Sequence, residues 1–341
     1  MRMARLTAPL KIEVIQTAEP EPVAAAEARV RVRYVGICGT DMHIFAGERS
    51  DVRLPRVMGH ELSGVVLEVG MDVNSISVGD RVVFDPVMAC GQCEVCKKGH
   101  ANVCPDVKCY GVQMDGAFQD EIVVPAAQLY KIPDRISMKE AALAEPFSIA
   151  ANILDRASVR QGEKIVIIGV GTIGLCLIQA AKGMGATVFA SDVADSKLAK
   201  AKEFGADVAI NSNKDDIGSA VAAFAPNGAD VLIDAVGITP ILEQCIKMPS
   251  PASRIVVISF DSTPASVLPV EITKKELSIV GSRMNAKKFP HVIEWLEKDK
   301  IKPAGLISKV FPVERIQEAF ETALSDKSLL KVLISFSENE E

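Results

Sequence analysis

The chain lacks any apolar run long enough to cross a membrane. Its longest uncharged stretch, Ile165 to Ala181, is broken by Gly169, Gly171, Thr172, Gly174 and Gln179, whereas a span needs about 20 mostly apolar residues. That stretch reads instead as a strand, a turn and a helix. Cysteine is scarce, and eight in 341 residues is too few for a disulfide scaffold. Charge of one sign never gathers into a block. The 38 Lys and Arg stand against 44 Asp and Glu, a net charge of −6, which disfavours nucleic acid and anionic membrane as partners. Met1 to Pro9 carries charges with no apolar segment behind them, so no secretory signal is expected and the chain reads as cytoplasmic. There is no internal repeat and no low-complexity segment. What remains is an ordinary globular composition, 48% apolar and 24% charged, with length enough for two domains.

The two halves differ in texture. Up to about residue 140 the pattern is that of short strands: Arg29 to Val35 alternates polar and apolar, and Arg81 to Phe84 and Phe118 to Pro125 lie among Gly, Pro and Asp turn signals. A compact barrel or sandwich is expected there. From Ser137 a helical pattern begins at Met138 to Ala144 behind a Ser cap. Strands and helices then alternate, with strands expected at Lys164–Ile168, Thr187–Ala190, Val208–Ile210, Asp230–Asp234, Arg254–Ser259 and Leu277–Val280, and a helix at Ser196–Phe204. Six strands in this rhythm predict a doubly wound parallel sheet. Amphipathic segments follow at Val292–Leu296 and Val313–Leu324, then a strand at Lys331–Ile334 and a frayed tail from Ser337 to Glu341.

The segment Ile165 to Gly174 reads I-V-I-I-G-V-G-T-I-G, a G-x-G-x-x-G at the end of one strand and the start of an apolar helix. Gly169 suits the tight turn, Gly171 lets the backbone approach a pyrophosphate, and Gly174 permits close packing. Thr172 and Ile173 open the helix, whose free N–H groups and dipole favour phosphate. The next expected strand, Thr187–Ala190, leads into Ser191 and Asp192, 21 positions after Gly171, where a carboxylate accepts the adenosine ribose hydroxyls. No Lys or Arg follows it directly, so NAD is expected over NADP. Asp192 also has an ordinary reading as a cap or loop residue.

Four cysteines, Cys90, Cys93, Cys96 and Cys104, form C-x2-C-x2-C-x7-C. Four thiolates on one short loop can close a tetrahedral structural zinc site. Iron–sulfur ligation is chemically possible, but nothing else in the chain points to electron transfer. Cys109, Cys176 and Cys245 have no ligand-like neighbours and are expected to fill space. A second, dispersed set comprises G-I-C-G-T-D-M-H around Cys38, G-H-E at His60 and Glu61, and Glu145-Pro146. Cys, His and Glu are competent ligands for a catalytic zinc. Spacing alone leaves open that His60 is a core histidine and Glu145 a helix-start carboxylate.

Taken together and in this order, these motifs make the whole chain resemble the zinc-dependent medium-chain alcohol dehydrogenase superfamily, in its sorbitol and polyol dehydrogenase branch. The resemblance implies a GroES-like β-barrel catalytic domain from residues 1–144 and 282–341, with a Rossmann dinucleotide-binding domain at 145–281 between them. It implies one catalytic and one structural zinc per subunit, the catalytic one on Cys38 and His60 with Glu61 and Glu145 ligating directly or through water. Thr40 matches the hydroxyl that accepts the substrate proton and His43 the relay toward solvent. Phe45 stands at a substrate position where many sorbitol dehydrogenases have tyrosine, and a homodimer or homotetramer is expected.

Leu277 to Asn285 is similar to hexonate dehydrogenases in its G-S-R-x-N, and Arg283 there offers a guanidinium fork to a substrate carboxylate or contacts the cofactor. The expected reaction is transfer of hydride from a secondary hydroxyl of a sugar acid to NAD+, with a neutral polyol or L-threonine as the competing substrates. A zinc-ribbon binding module is the reading from a different class. The acidic balance and the dinucleotide fingerprint count against it.

Overall fold

The computed structural model describes residues 1–336, so the expected fraying of Ser337 to Glu341 lies outside the described residues. The chain divides into two compact units: the first comprises Met1–Glu145, Asn285–Glu297 and the chain from Lys302 on, the second Pro146–Met284 and Lys298–Ile301. These limits differ from the expected ones at three points. Glu145 falls with the first unit, Ser282 to Met284 with the second, and Lys298–Ile301 crosses back to the second. The physical reason for the middle shift is Asn152, whose Nδ2 donates to Ser282 Oγ and to the carbonyls of Arg283 and Met284 at 2.8–3.1 Å.

The first unit is built on a seven-stranded sheet. Its order is Ile307–Pro312, Lys331–Ser335, Glu27–Gly36, Glu61–Val69, Arg81–Phe84 and Leu129–Lys131, with Glu121–Pro125 also paired to Glu27–Gly36. All pairs are antiparallel except that of Ile307–Pro312 with Lys331–Ser335. The alternation at Arg29 to Val35 follows from the single buried face of such a strand: Val30 and Val32 are fully buried while Arg31 is exposed. Phe45, Phe84, Phe118 and Phe320 fill the core with Leu6, Val30 and Leu62.

The expected helix after Ser137 is shorter than its pattern. Ser137 caps Met138–Ala141 in a reciprocal capping box with Glu140, and a new helix, Ala144–Arg156, begins after a break. Likewise Val313–Leu324 resolves into a 3-10 turn at Val313–Arg315 and a helix at Ile316–Ser325.

The second unit holds a six-stranded sheet in which every pair is parallel. Its order is Val208–Asn211, Thr187–Asp192, Lys164–Ile168, Ala229–Asp234, Pro249–Val257 and Ser278–Gly281. In chain sequence this is 3-2-1-4-5-6, the doubly wound dinucleotide-binding order, with the switch point between the first and fourth strands. The two central strands, Lys164–Ile168 and Ala229–Asp234, have apolar interiors buried on both faces, so Ile165, Val166, Ile167, Val231, Leu232 and Ile233 have no exposed surface. The fifth strand starts five residues earlier than its hydrophobicity announces, at Pro249, past a register shift opposite Ala229 and Val231. Among the described residues no helix is long and apolar enough to cross a membrane.

Candidate active site and cofactor sites

In the first unit the helix Gly39–Phe45 starts directly behind Cys38. Asp41, fully buried at its third position, accepts from Cys38 N at 2.9 Å and from Gly59 N at 3.2 Å. One carboxylate therefore ties together the two loops that carry Cys38 and His60. His60 and Glu61 follow, Glu61 opening the strand Glu61–Val69 opposite Gly36. A side chain at position 36 would sit 2.0 Å from Glu61 Oε2, so glycine there makes room for the carboxylate. Strand Lys331–Ser335 pairs on the other side of Gly36. That register delivers Lys331 Nζ to within 2.7 Å of both Glu61 oxygens and 3.1 Å of the Ile37 carbonyl. The pair is buried, 3% and 1% exposed.

One ligand atom each from Cys38, His60 and Glu61 lie within 4.8 Å of one another. His60 Nδ1 is buried without a hydrogen-bond partner, and the nearest acid, Asp41 Oδ1, stands 3.6 Å away. Burial alone would push the imidazole toward neutrality. Asp41 and the Cys38 sulfur outweigh it and hold the His60 pKa well above that of a free imidazole. Burial drives the Glu145 carboxyl up to about 8, opposed by His60 and assisted by Glu61. Cys, His and carboxylate donors brought this close together suit zinc. Cys109, expected only to fill space, lies within electrostatic reach of His60 and Glu145, and burial pushes its thiol up to about 12.

Thr40 and His43 sit three residues apart on the same helix, Thr40 half-buried and His43 exposed. Phe45, placed at a substrate position by resemblance, is 1% exposed and packs on Phe320 with ring centroids 5.0 Å apart. Two residues of this site were missed from sequence. Asp41 carries a signal in hindsight, an acid at the third helical position, whereas Lys331 carries none because its role depends on a pairing register 270 residues distant.

The four-cysteine lobe is self-contained. Cys90 and Cys104 Sγ are 3.5 Å apart, Cys90 and Cys96 3.9 Å, and Cys93 and Cys104 3.9 Å. Zinc–sulfur bonds of about 2.3 Å at tetrahedral angles place sulfurs about 3.8 Å apart, so the spacing fits that ion. Backbone amides of Gln92 and Cys93 draw the Cys90 thiol down to about 6. Cys93 Sγ also accepts from Cys96 N, capping the turn Glu94–Lys97. All eight cysteines are free thiols.

In the second unit the fingerprint turn sits between strand Lys164–Ile168 and helix Thr172–Gly183. A Cβ at Gly174 would lie 2.1 Å from the Gly169 carbonyl, while one at Gly171 would meet nothing within 4 Å. The turn is packed tightly below and open above, as a phosphate cradle requires. Asp192 ends the neighbouring strand, and its Oδ2 accepts from Val170 N at 2.8 Å, inside the glycine turn. Arg283 is exposed in the same unit.

A thiolate–imidazole–carboxylate metal pocket and a dinucleotide turn on one chain are the two halves of hydride transfer from an alcohol; the class they define is a zinc- and nicotinamide-dependent dehydrogenase. Residues 24–134 match the alcohol dehydrogenase GroES-like domain and residues 172–298 the zinc-binding dehydrogenase domain. Starvation-sensing protein RspB of Escherichia coli K12 is 40% identical over 343 residues, covering 99% of this chain and 100% of that protein. The structure of rspB from E. coli CFT073, complexed with NADH, superposes with a TM-score of 0.93 at 40% identity, covering 98% of this chain and 99% of that one. The 2-dehydro-3-deoxy-L-galactonate 5-dehydrogenase of Pseudoalteromonas atlantica is 35% identical over 91% of this chain and 92% of its own length. Sorbitol dehydrogenase of Bacillus subtilis is 32% identical over 96% and 94%. The chain belongs to the zinc-type medium-chain dehydrogenases, in the polyol dehydrogenase branch.

Proposed function

We propose that this dehydrogenase oxidises a secondary hydroxyl of a hexonate to the ketone and passes the hydride to NAD+. The observation that carries the dehydrogenase reading is the convergence of Cys38, His60 and Glu61 within 4.8 Å in a chain that also holds an open glycine turn. Arg283, an exposed guanidinium following G-S, and the hexonate-named relative support a substrate bearing a carboxylate. A neutral polyol is the second reading, favoured by the sorbitol dehydrogenase relative.

When bound, zinc lowers the pKa of the substrate hydroxyl and NAD+ accepts the hydride. Cys38 and His60 hold the metal, His60 through Nε2 because its Nδ1 lies nearest Asp41. Glu61 and Glu145 ligate directly or through water, Lys331 sharing the Glu61 charge. Thr40 Oγ1 takes the hydroxyl proton and His43 carries it to solvent. Cys90, Cys93, Cys96 and Cys104 hold the structural zinc. Thr172 and Ile173 present N–H groups to the pyrophosphate, and Asp192 accepts the ribose hydroxyls. Four thiolate ligands suit the reducing cytoplasm. Strand Ser278–Gly281 pairs with one strand in its own unit and carries exposed Ile279, an edge suited to a homodimer or homotetramer.

The test is a panel of hexonates, hexitols and L-threonine scored by NADH formation. Highest kcat/KM on a hexonate supports the proposal; preference for a hexitol or threonine overturns it.

A further inference from the structure

The helix Gly39–Phe45 ends in a turn that folds back on its own exposed face. Ala46 N donates to the Met42 carbonyl at 2.9 Å, Gly47 N to the Ile44 carbonyl at 3.0 Å, and Glu48 N to the His43 carbonyl at 2.9 Å. Gly47 has φ +77°, and a Cβ there would stand 2.9 Å from Pro9 Cγ, so both backbone angle and space hold the turn to glycine. Glu48 is thereby fixed at the backbone beside the histidine one turn earlier. Its Oε2 lies 2.6 Å from His43 Nδ1. The nearest cation in sequence does not compete for it: Arg49 gives its Nε and Nη2 to Asp51 at 2.7 and 2.8 Å, and Asp51 is held in addition by Gln113.

We propose that Glu48 is the positioning residue of the proton-carrying histidine, fixing His43 as the Nδ1–H tautomer so that Nε2 is its basic atom. The proposal rests on the reading in which His43 carries the substrate proton. A carboxylate accepts hydrogen bonds and cannot give one, so the hydrogen between the two side chains belongs to Nδ1. A neutral imidazole with its hydrogen there has one lone pair, at Nε2. The proton released from the substrate hydroxyl by way of Thr40 adds to that lone pair, the imidazolium is balanced by Glu48, and loss of the same proton to water restores the starting state. Without Glu48 the ring populates the Nε2–H form, which cannot accept at Nε2. Both side chains are well exposed, 65% and 61%, so the pair adds little to stability and variants at position 48 keep the fold.

The chain has four histidines, which makes the ring directly observable. In zinc-loaded protein labelled with [15N]histidine, the His43 signals are assigned by their loss in His43→Gln. Long-range 1H–15N correlation at about pH 8.5, well above an ordinary imidazole pKa of about 6.5, reports the tautomer. Wild type shows Nδ1–H, Glu48→Ala moves to mainly Nε2–H, and Glu48→Gln, whose amide oxygen still accepts, keeps Nδ1–H. With the best substrate, kcat falls about threefold to tenfold in Glu48→Ala, KM changes by less than about twofold, and Glu48→Gln recovers part of the loss. An unchanged tautomer in Glu48→Ala, or a changed tautomer with unchanged kcat, overturns the proposal. A preparation with the expected tautomers that oxidises no alcohol refutes the functional reading and leaves the pairing intact.

Discussion

Lys331 and Glu61 offer a sharp test of what holds the metal pocket together. The ammonium lies 2.7 Å from both carboxylate oxygens, and the two side chains are 3% and 1% exposed. Water cannot take over for a missing partner. Removing one member of a buried pair costs about 3–5 kcal/mol, because the survivor is left as an uncompensated buried charge. Lys331→Met keeps the apolar stem and removes the charge. At about 2–4 °C per kcal/mol for a protein of this size, its melting temperature should fall by about 6–20 °C. Glu61→Gln should lose a comparable amount, since it strands the ammonium. Combining the two leaves a neutral pair of similar volume, so the double variant should recover to within about 2 kcal/mol of wild type. Calorimetry on all four proteins closes the cycle. Single-variant losses under about 1 kcal/mol, or a double variant as unstable as the sum of the singles, would refute the reasoning.

The remaining predictions separate metals, cofactor and substrate. Cys104→Ser should lower thermal stability and release about one zinc per chain on metal analysis, because structural zinc binding is partly folding free energy; Cys38→Ala should abolish turnover and leave melting nearly unchanged. Asp192→Ala loses the ribose acceptor and the bond to Val170 N, so the NAD-to-NADP ratio of kcat/KM should fall about tenfold to a hundredfold; a wild type that already prefers NADP contradicts the assignment. Arg283→Met should cost about tenfold to a hundredfold in kcat/KM on a hexonate and little on the matching hexitol. Equal losses on both would place Arg283 at the cofactor.

The second unit was legible strand by strand at its centre because parallel strands covered on both faces are apolar runs, and two of them lead directly into a glycine turn or end in an acid, Lys164–Ile168 before Gly169 and Thr187–Asp192 at Asp192. Lys164–Ile168 and the following fingerprint are the clearest case. Motifs also marked Cys38, His60, Glu61 and the four-cysteine lobe. What the chain conceals are contacts set by register and turn. Lys331 looks like the polar first residue of a strand, and only the pairing of Leu333 with Gly36 turns it toward Glu61. Glu48 looks like a loop carboxylate, and only the turn at Gly47 brings it to His43. Phe45 went the other way: position suggested substrate, and the depth of the helix face put it in the core.

The two metal pockets also differ in when they can exist during synthesis of the chain. Cys90 to Cys104 span a separation of 14 residues, a short loop with little closure entropy, so the lobe can capture zinc as soon as it has emerged. The catalytic group cannot mature so early. Glu61 must wait for a counter-charge 270 residues later in the chain, and until strand Lys331–Ser335 docks beside Gly36 its carboxylate is either hydrated outside the core or stranded within it. A nascent chain that has passed Cys104 but not yet reached Lys331 therefore holds all four cysteines of the lobe while Glu61 still lacks its buried counter-charge.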